Sequence, residues 1–149
     1  MISQKNAFID VNPAILSSNE KIVLAKRKTE LVEGGRWHLP GGRVQYLETF
    51  QTTLKRVAFF KTNLRIELFF PSLMKSLVGI YDDPNRDPRE HVVSLAFLCK
   101  IVGGKVKAGA NVELVEAFSK AQVEELEIAF DNKKSIYDTF DKLDVTHII

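Results

Sequence analysis

Two adjacent glycines, Gly41 and Gly42, do most to constrain this chain. Five residues separate Gly42 from Glu48, and seven separate Glu48 from Arg56. Phe50, Leu54, Val57 and Ala58 recur at helical spacing, with Gln51, Lys55 and Thr62 off that stripe, so residues 48–61 read as an amphipathic helix. A glycine pair lets the backbone turn tightly and approach a ligand, where exposed amides or a carbonyl can meet a phosphate or its metal. The pattern is therefore a close-approach loop delivered onto a helix.

Strand signals surround this unit. Lys21–Arg27 (KIVLAKR) follows the turn-forming Ser17-Ser18-Asn19-Glu20 and reads as a strand paired with residues 7–16. Pro13, which has no backbone donor, marks that first strand as an edge or a bulge. Residues 64–70, 74–81 and 91–101 are rich in β-branched, aromatic or other apolar side chains and are separated by Pro71 and the polar loop 82–90. Gly103-Gly104 gives a turn. Residues 120–126 and 133–143 are helical, the second opening after Asp131 or Asn132 as a cap. Strands mixed with three helices predict a sheet covered on both faces. No repeat or linker divides the sequence, so one domain is expected over residues 1–149.

With 45% apolar and 27% charged residues, the composition is globular. A net charge of +2 without Lys/Arg blocks argues against nucleic-acid or membrane partners. Cys99, the lone cysteine, excludes an intrachain disulfide and a cysteine-based zinc site, and reads as a core residue in a reducing, intracellular setting. Residues 1–12 lack a leader pattern, and the longest apolar run, 92–99, is interrupted by Ser94 and too short to span a bilayer. A soluble, cytoplasmic protein is expected.

The Gly42-x5-Glu48-x7-Arg56 spacing resembles the Nudix hydrolase motif, whose pattern continues after the arginine with Glu, a Glu pair and Gly. The hairpin ending in Lys26-Arg27, the stretch from Trp37 to Gly42, the motif helix and the later strands all occur in Nudix order. The resemblance implies an α/β class fold, a Nudix-type α/β/α sandwich around a mixed β-sheet. Pro40-Gly41-Gly42-Arg43-Val44-Gln45, with Tyr81-Asp82-Asp83 and His91-Val92-Val93, looks most like the GDP-mannose mannosyl hydrolase group. It implies that the Gly41 carbonyl and Glu48 hold Mg2+, that Glu48 and Arg43 serve catalysis, and that Arg27 and Arg43 bind the diphosphate.

After Arg56 the chain departs from the pattern: Val57 stands for Glu, Phe60 and Lys61 for the Glu pair, and Asn63 for Gly. Carboxylates at 57, 60 and 61 would share a helical face and grip a cation; here there are none. Lys61 instead puts a fixed positive charge where magnesium would neutralise diphosphate oxygens. Asn111-Val112 is the approximate match to the Gln-His pair of the mannosyl hydrolases. Val57 and Phe60 fit the core, or an exposed patch for a nucleobase or partner subunit. His91 could reach a ligand or be a hydrogen-bonded strand-end histidine. The net acidic loop 82–90 reads as a solvated substrate-entry loop or as the source of a metal ligand from outside the motif helix, and Glu113 and Glu116 as late-loop bases or surface charges.

The expected function is hydrolysis of a nucleoside diphosphate linked to another group, preferably a nucleotide sugar such as GDP-mannose. ADP-ribose hydrolysis ranks lower because it leans harder on the missing glutamates. The competing expectation is a catalytically inactive Nudix-fold module that binds a nucleotide or another protein, with a homodimer as the assembly considered.

Overall fold

The computed structural model describes residues 5–147. Its strands are β1 (Phe8–Ser17), β2 (Lys21–Arg27), β3 (Trp37–His38), β4 (Gly42–Arg43), β5 (Leu64–Leu68), β6 (Leu77–Tyr81), β7 (Val92–Gly104) and β8 (Val112–Phe118). Its helices are α1 (Phe50–Thr62), α2 (Leu73–Ser76), α3 (Lys120–Val123) and α4 (Asn132–His147). The strands form a mixed sheet in the order β3-β2-β1-β7-β5, with β4 on β1, β6 on β7 and β8 on β2.

The β1–β2 hairpin forms as the sequence suggests, but its ladder is short, with Leu16 opposite Ile22 and Ser17 opposite Lys21. The long partner of β1 is β7, parallel to it from Phe8↔Val92 to Leu16↔Lys100. Pro13 therefore lies in a central strand, opposite Phe97, and not at an edge. On the other flank β1 meets β4 only at Asp10 and Val11 and β2 only at Leu16 and Ser17. Among the described residues the stretch between has no strand ladder on that side, which accommodates a residue without an N–H.

Strict alternation divides the apolar residues between two layers. Ala14, Ile22, Leu24, Ala96 and Leu98 face one way and pack with Ile136, Phe140 and Leu143 of α4. Ile15, Val23, Ala25, Phe97 and Cys99 face the other way and pack with Leu54 and Ala58 of α1. Cys99 is fully buried, and burial pushes its thiol up to about 12. No helix among the described residues is long and apolar enough to cross a membrane.

Helix α1 starts later than its periodicity implies. Thr49 is the N-cap, its hydroxyl accepting from the Thr52 amide at 3.1 Å, and Glu48 lies outside the helix. Asn63 ends α1 in the left-handed region at φ 63°, its amide donating to Phe59 O at 2.9 Å. The expected strand over 74–81 divides at Ser76: Ser72 caps the short α2, and only Leu77–Tyr81 is extended. Gly103 and Gly104 make no chain reversal; they finish β7, opposite Arg65 and Leu64. Strand β8 escaped the sequence reading because its glutamates interrupt the apolar pattern, which buries Val112, Val115 and Phe118. Glu113 and Glu116 are thus exposed strand residues.

On α1, Val57 is buried and Phe60 is 59% exposed, so the two do not form one patch. Leu54→Ala should destabilise the fold by about 2–5 kcal/mol through loss of buried methyl groups and the cavity left behind. Phe60→Ala should cost less than about 1 kcal/mol in the same urea denaturation experiment; equal losses would show that α1 docks by another face.

Candidate functional site

The site begins with the approach of the glycine loop to α1. Strand β4 pairs with β1 so that Val11 lies opposite Gly42 and Asp10 opposite Arg43. A Cβ on Gly42 would stand 2.7 Å from Val57 Cγ1. One on Gly41 would stand 1.7 Å from Asn12 Oδ1 and 2.7 Å from the Val11 carbonyl. Only glycines fit between the sheet and the helix without displacing a neighbour. One helical turn beyond Val57, Lys61 lies on the same face of α1, and its Nζ donates to the Gly41 carbonyl. Burial, then the nearby positive charge of Arg27, pulls the Lys61 ammonium down to about 8, while Asp10 opposes the shift.

Lys61 stands in a cleft of about 460 Å³, whose lining includes Arg27, Arg43, Arg86 and Arg89 along with Asp10, Asp87 and Glu90. The arginines differ in how they are neutralised. Arg43 Nη2 bonds Glu90, and its Nε lies 3.5 Å from Asp10. Arg86 meets Asp131 at 2.7 Å and the Val92 carbonyl at 2.8 Å. Arg89 grips Asp87 through two nitrogens at 3.1 and 2.9 Å. Arg27 instead donates Nε to the Val32 carbonyl at 2.7 Å, its guanidinium 5.2 Å from the centre of the Phe130 ring. Among the described residues, Arg27 and Lys61 are the cleft cations without a carboxylate within ion-pairing distance.

Two neutral or weakly satisfied groups complete the cleft. Asp10 Oδ1 is buried and has no hydrogen-bond partner among the described residues. Burial raises the Asp10 pKa, against the opposing pull of Arg43 and Lys61. His38 is 7% exposed, with Nδ1 2.6 Å from the Leu39 carbonyl. A carbonyl only accepts, so Nδ1 carries the proton. Burial, followed by the charge of Lys61, pushes the His38 imidazole down to about 3.

A profile of the NUDIX domain matches residues 10–140. The chain belongs to the Nudix hydrolase family. It is 38% identical over 124 residues to an ADP-ribose pyrophosphatase of Methanocaldococcus jannaschii, a match covering 83% of this chain and 68% of that protein. Among solved structures, it resembles a bifunctional NMN adenylyltransferase/ADP ribose pyrophosphatase from Francisella tularensis, complexed with AMP and a Mn ion. That likeness has a TM-score of 0.76 and 21% identity, and covers 95% of this chain and 43% of that one. The NUDIX domain of Shewanella oneidensis NrtR, complexed with ADP ribose, superposes with a TM-score of 0.73 at 21% identity, covering 95% and 90% of the two chains. These similarities establish the Nudix fold with its mixed sheet and flanking helices. They give no support to a GDP-mannose preference.

The residues present do not fit the divalent cation that the Nudix resemblance implies. The Gly41 carbonyl, expected to hold Mg2+, accepts from Lys61. Glu48, expected as metal ligand and catalyst, is held by Arg56 at 2.8 and 2.9 Å, the Gln45 amide at 2.9 Å and the Thr53 hydroxyl at 2.9 Å. The Arg56 bonds, with the Gln45 amide next, pull its carboxyl down to about 2. Arg56 also donates to the Arg43 carbonyl at 2.8 Å, so the pair braces the loop against α1. Glu48 is not among the cleft-lining residues, and no group of three or more His, Cys, Asp or Glu able to hold a metal occurs among the described residues.

Of the other sequence candidates, Arg27, Arg43, Lys61 and Asn111 line the cleft together. His91 does not: it is exposed, borders a separate depression near Phe8, and serves the fold through its carbonyl, which accepts from the Phe8 amide at 3.0 Å. Asp10, Arg86 and Arg89 were missed as site residues. Arg86 and Arg89 belong to the loop 82–90, whose net acidity hid the direction in which its cations fold; pairing of Asp10 with Arg43 depends on strand register.

His38 is neutral in the fold and has an ordinary pKa when unfolded, so its stabilising contribution is full above about pH 6.5 and fades as pH falls towards 3. Wild-type thermal stability should therefore decline more steeply across that window than that of His38→Gln. Parallel melting profiles would contradict the assignment.

Proposed function

We propose that the cleft takes a nucleoside diphosphate joined to a sugar, of the ADP-ribose type, and that the reaction is hydrolysis of the diphosphate bridge. The observation that carries this reading is the pair of cations, Arg27 and Lys61, that line the cleft without carboxylate partners. A diphosphate diester bears two negative charges and complements them in number. ADP-ribose is preferred to GDP-mannose because the Methanocaldococcus relative is an ADP-ribose pyrophosphatase and the NrtR domain was crystallised with ADP ribose.

Asp10 is the group best suited to accept a proton in the cleft. Its buried Oδ1 makes no hydrogen bond among the described residues, only a 3.5 Å ion pair with Arg43 Nε, and burial outweighs that pull to make it more basic than a surface aspartate. A water oxygen would bond to one phosphorus as its proton passes to Asp10. The bridging oxygen would leave with the electron pair on the other phosphate, giving AMP and ribose 5-phosphate from ADP-ribose. Arg27 and Lys61 would meet the negative charge building on the phosphate oxygens.

The second reading is binding without turnover. Lys61 on the Gly41 carbonyl favours it, because an ammonium supplies charge but does not generate a metal-bound hydroxide. Phosphorus NMR of purified protein with ADP-ribose separates the two: new phosphomonoester signals support hydrolysis, while calorimetric binding without them supports the second reading. For the hydrolase, Asp10→Asn should lower turnover by about 10²–10⁴-fold, with affinity kept within about threefold. Unchanged turnover would remove Asp10 as the base.

A further inference from the structure

We propose that Lys61 is a resident cation, occupying the place on the Gly41 carbonyl that would otherwise serve a divalent metal, so that the cleft binds a diphosphate without metal. The proposal rests on the diphosphate reading above but adds how the charge is met.

Position is the first argument. Val57 packs on Gly42 and Lys61 reaches Gly41 one turn later, so the helix and loop together aim the ammonium into the cleft. The backbone from which the lysine stem springs is held in place, because the last turn of α1 is strapped from outside. Gly109 N donates to the Lys61 carbonyl at 3.0 Å, Lys107 N to the Thr62 carbonyl at 3.0 Å, and Asn63 Nδ2 to the Lys105 carbonyl at 2.8 Å.

Charge is the second. Arg43, Arg86 and Arg89 each have a carboxylate partner, whereas Lys61 has a carbonyl and no ion pair among the described residues. A partly buried ammonium left in that state is costly, and an entering anion relieves the cost. A divalent cation faces the opposite balance. It would have to displace Lys61 from Gly41 and sit beside Arg27, with Glu48 already committed to Arg56. Like-charge repulsion and the shortage of carboxylates exclude it from that seat.

The test is calorimetric titration of the full chain with ADP-ribose and, separately, with inorganic pyrophosphate, each in chelator and in magnesium. Wild-type affinity should agree within about threefold between the two conditions. Lys61→Met, which keeps the stem and removes the charge, should weaken binding in chelator by about 10- to 100-fold. Lys55→Met, on the exposed side of α1, should leave it unchanged. Binding that appears only with magnesium overturns the resident cation and leaves the ADP-ribose reading standing. Lys61-dependent pyrophosphate binding in chelator, with no binding of ADP-ribose, supports the resident cation and overturns that reading. Undiminished affinity in a Lys61→Met protein with wild-type circular dichroism overturns the inference, and the chelator comparison on the wild type decides the matter if that variant does not fold.

Discussion

The ammonium of Lys61 on the carbonyl of Gly41 is where fold and site become one problem. The loop reaches α1 because Gly41 and Gly42 leave room for Asn12, the Val11 carbonyl and Val57. The helix presents its 57–61 face to the loop because Leu54 and Ala58 dock into the sheet. Loop position therefore depends on core packing, and cleft charge depends on loop position. A side chain at 61 cannot avoid the cleft while the helix remains docked, so its chemistry sets that of the cleft floor.

Around that floor the charges fall into two classes. Arg43, Arg86 and Arg89 are tied to carboxylates and shape the rim, with Arg86 also holding the strand end through Val92 O. Arg27 and Lys61 hydrogen-bond to carbonyls, and burial, followed by the positive charge of Arg27, lowers the proton affinity of Lys61. Charges left in this condition are an expense of the empty fold, offset when an anion enters. Asp10, whose buried Oδ1 makes no hydrogen bond among the described residues and only a long 3.5 Å ion pair with Arg43, lies in the same cleft. Locally unfavourable electrostatics concentrated in one concavity mark it as a candidate binding site.

Much of the fold was legible in the sequence because local signals and tertiary demands agreed there. KIVLAKR is a strand in both, and the periodic run expected over 48–61 becomes α1 over Phe50–Thr62. The failures share a cause. Pro13 looked peripheral because sequence cannot reveal that β1 borrows a ladder from β7, eighty-odd residues away. Strand β8 was hidden because its surface-facing glutamates broke the apolar pattern. In the site, Gly41, Arg43 and Lys61 were legible through motif spacing. Asp10, Arg86 and Arg89 were not, since they reach the cleft through register and a loop path that no local pattern encodes.

Glu48 and Arg56 belong to the same geometry. Their bidentate pair does not depend on a metal: Arg56 reaches back to the Arg43 carbonyl, and Glu48 takes the Gln45 amide and the Thr53 hydroxyl. Those bonds close the loop from 43 to 48 onto the first turns of α1. Without them Arg43 would lose its placement against Asp10 and Glu90, and Gly41 its approach to Lys61. Positions 57, 60 and 61 carry no carboxylate, whereas the Glu48–Arg56 pair holds the backbone. Glu48 and Arg56 are part of the architecture, whereas the side chain at 61 sets the charge of the cleft without holding the loop from 43 to 48.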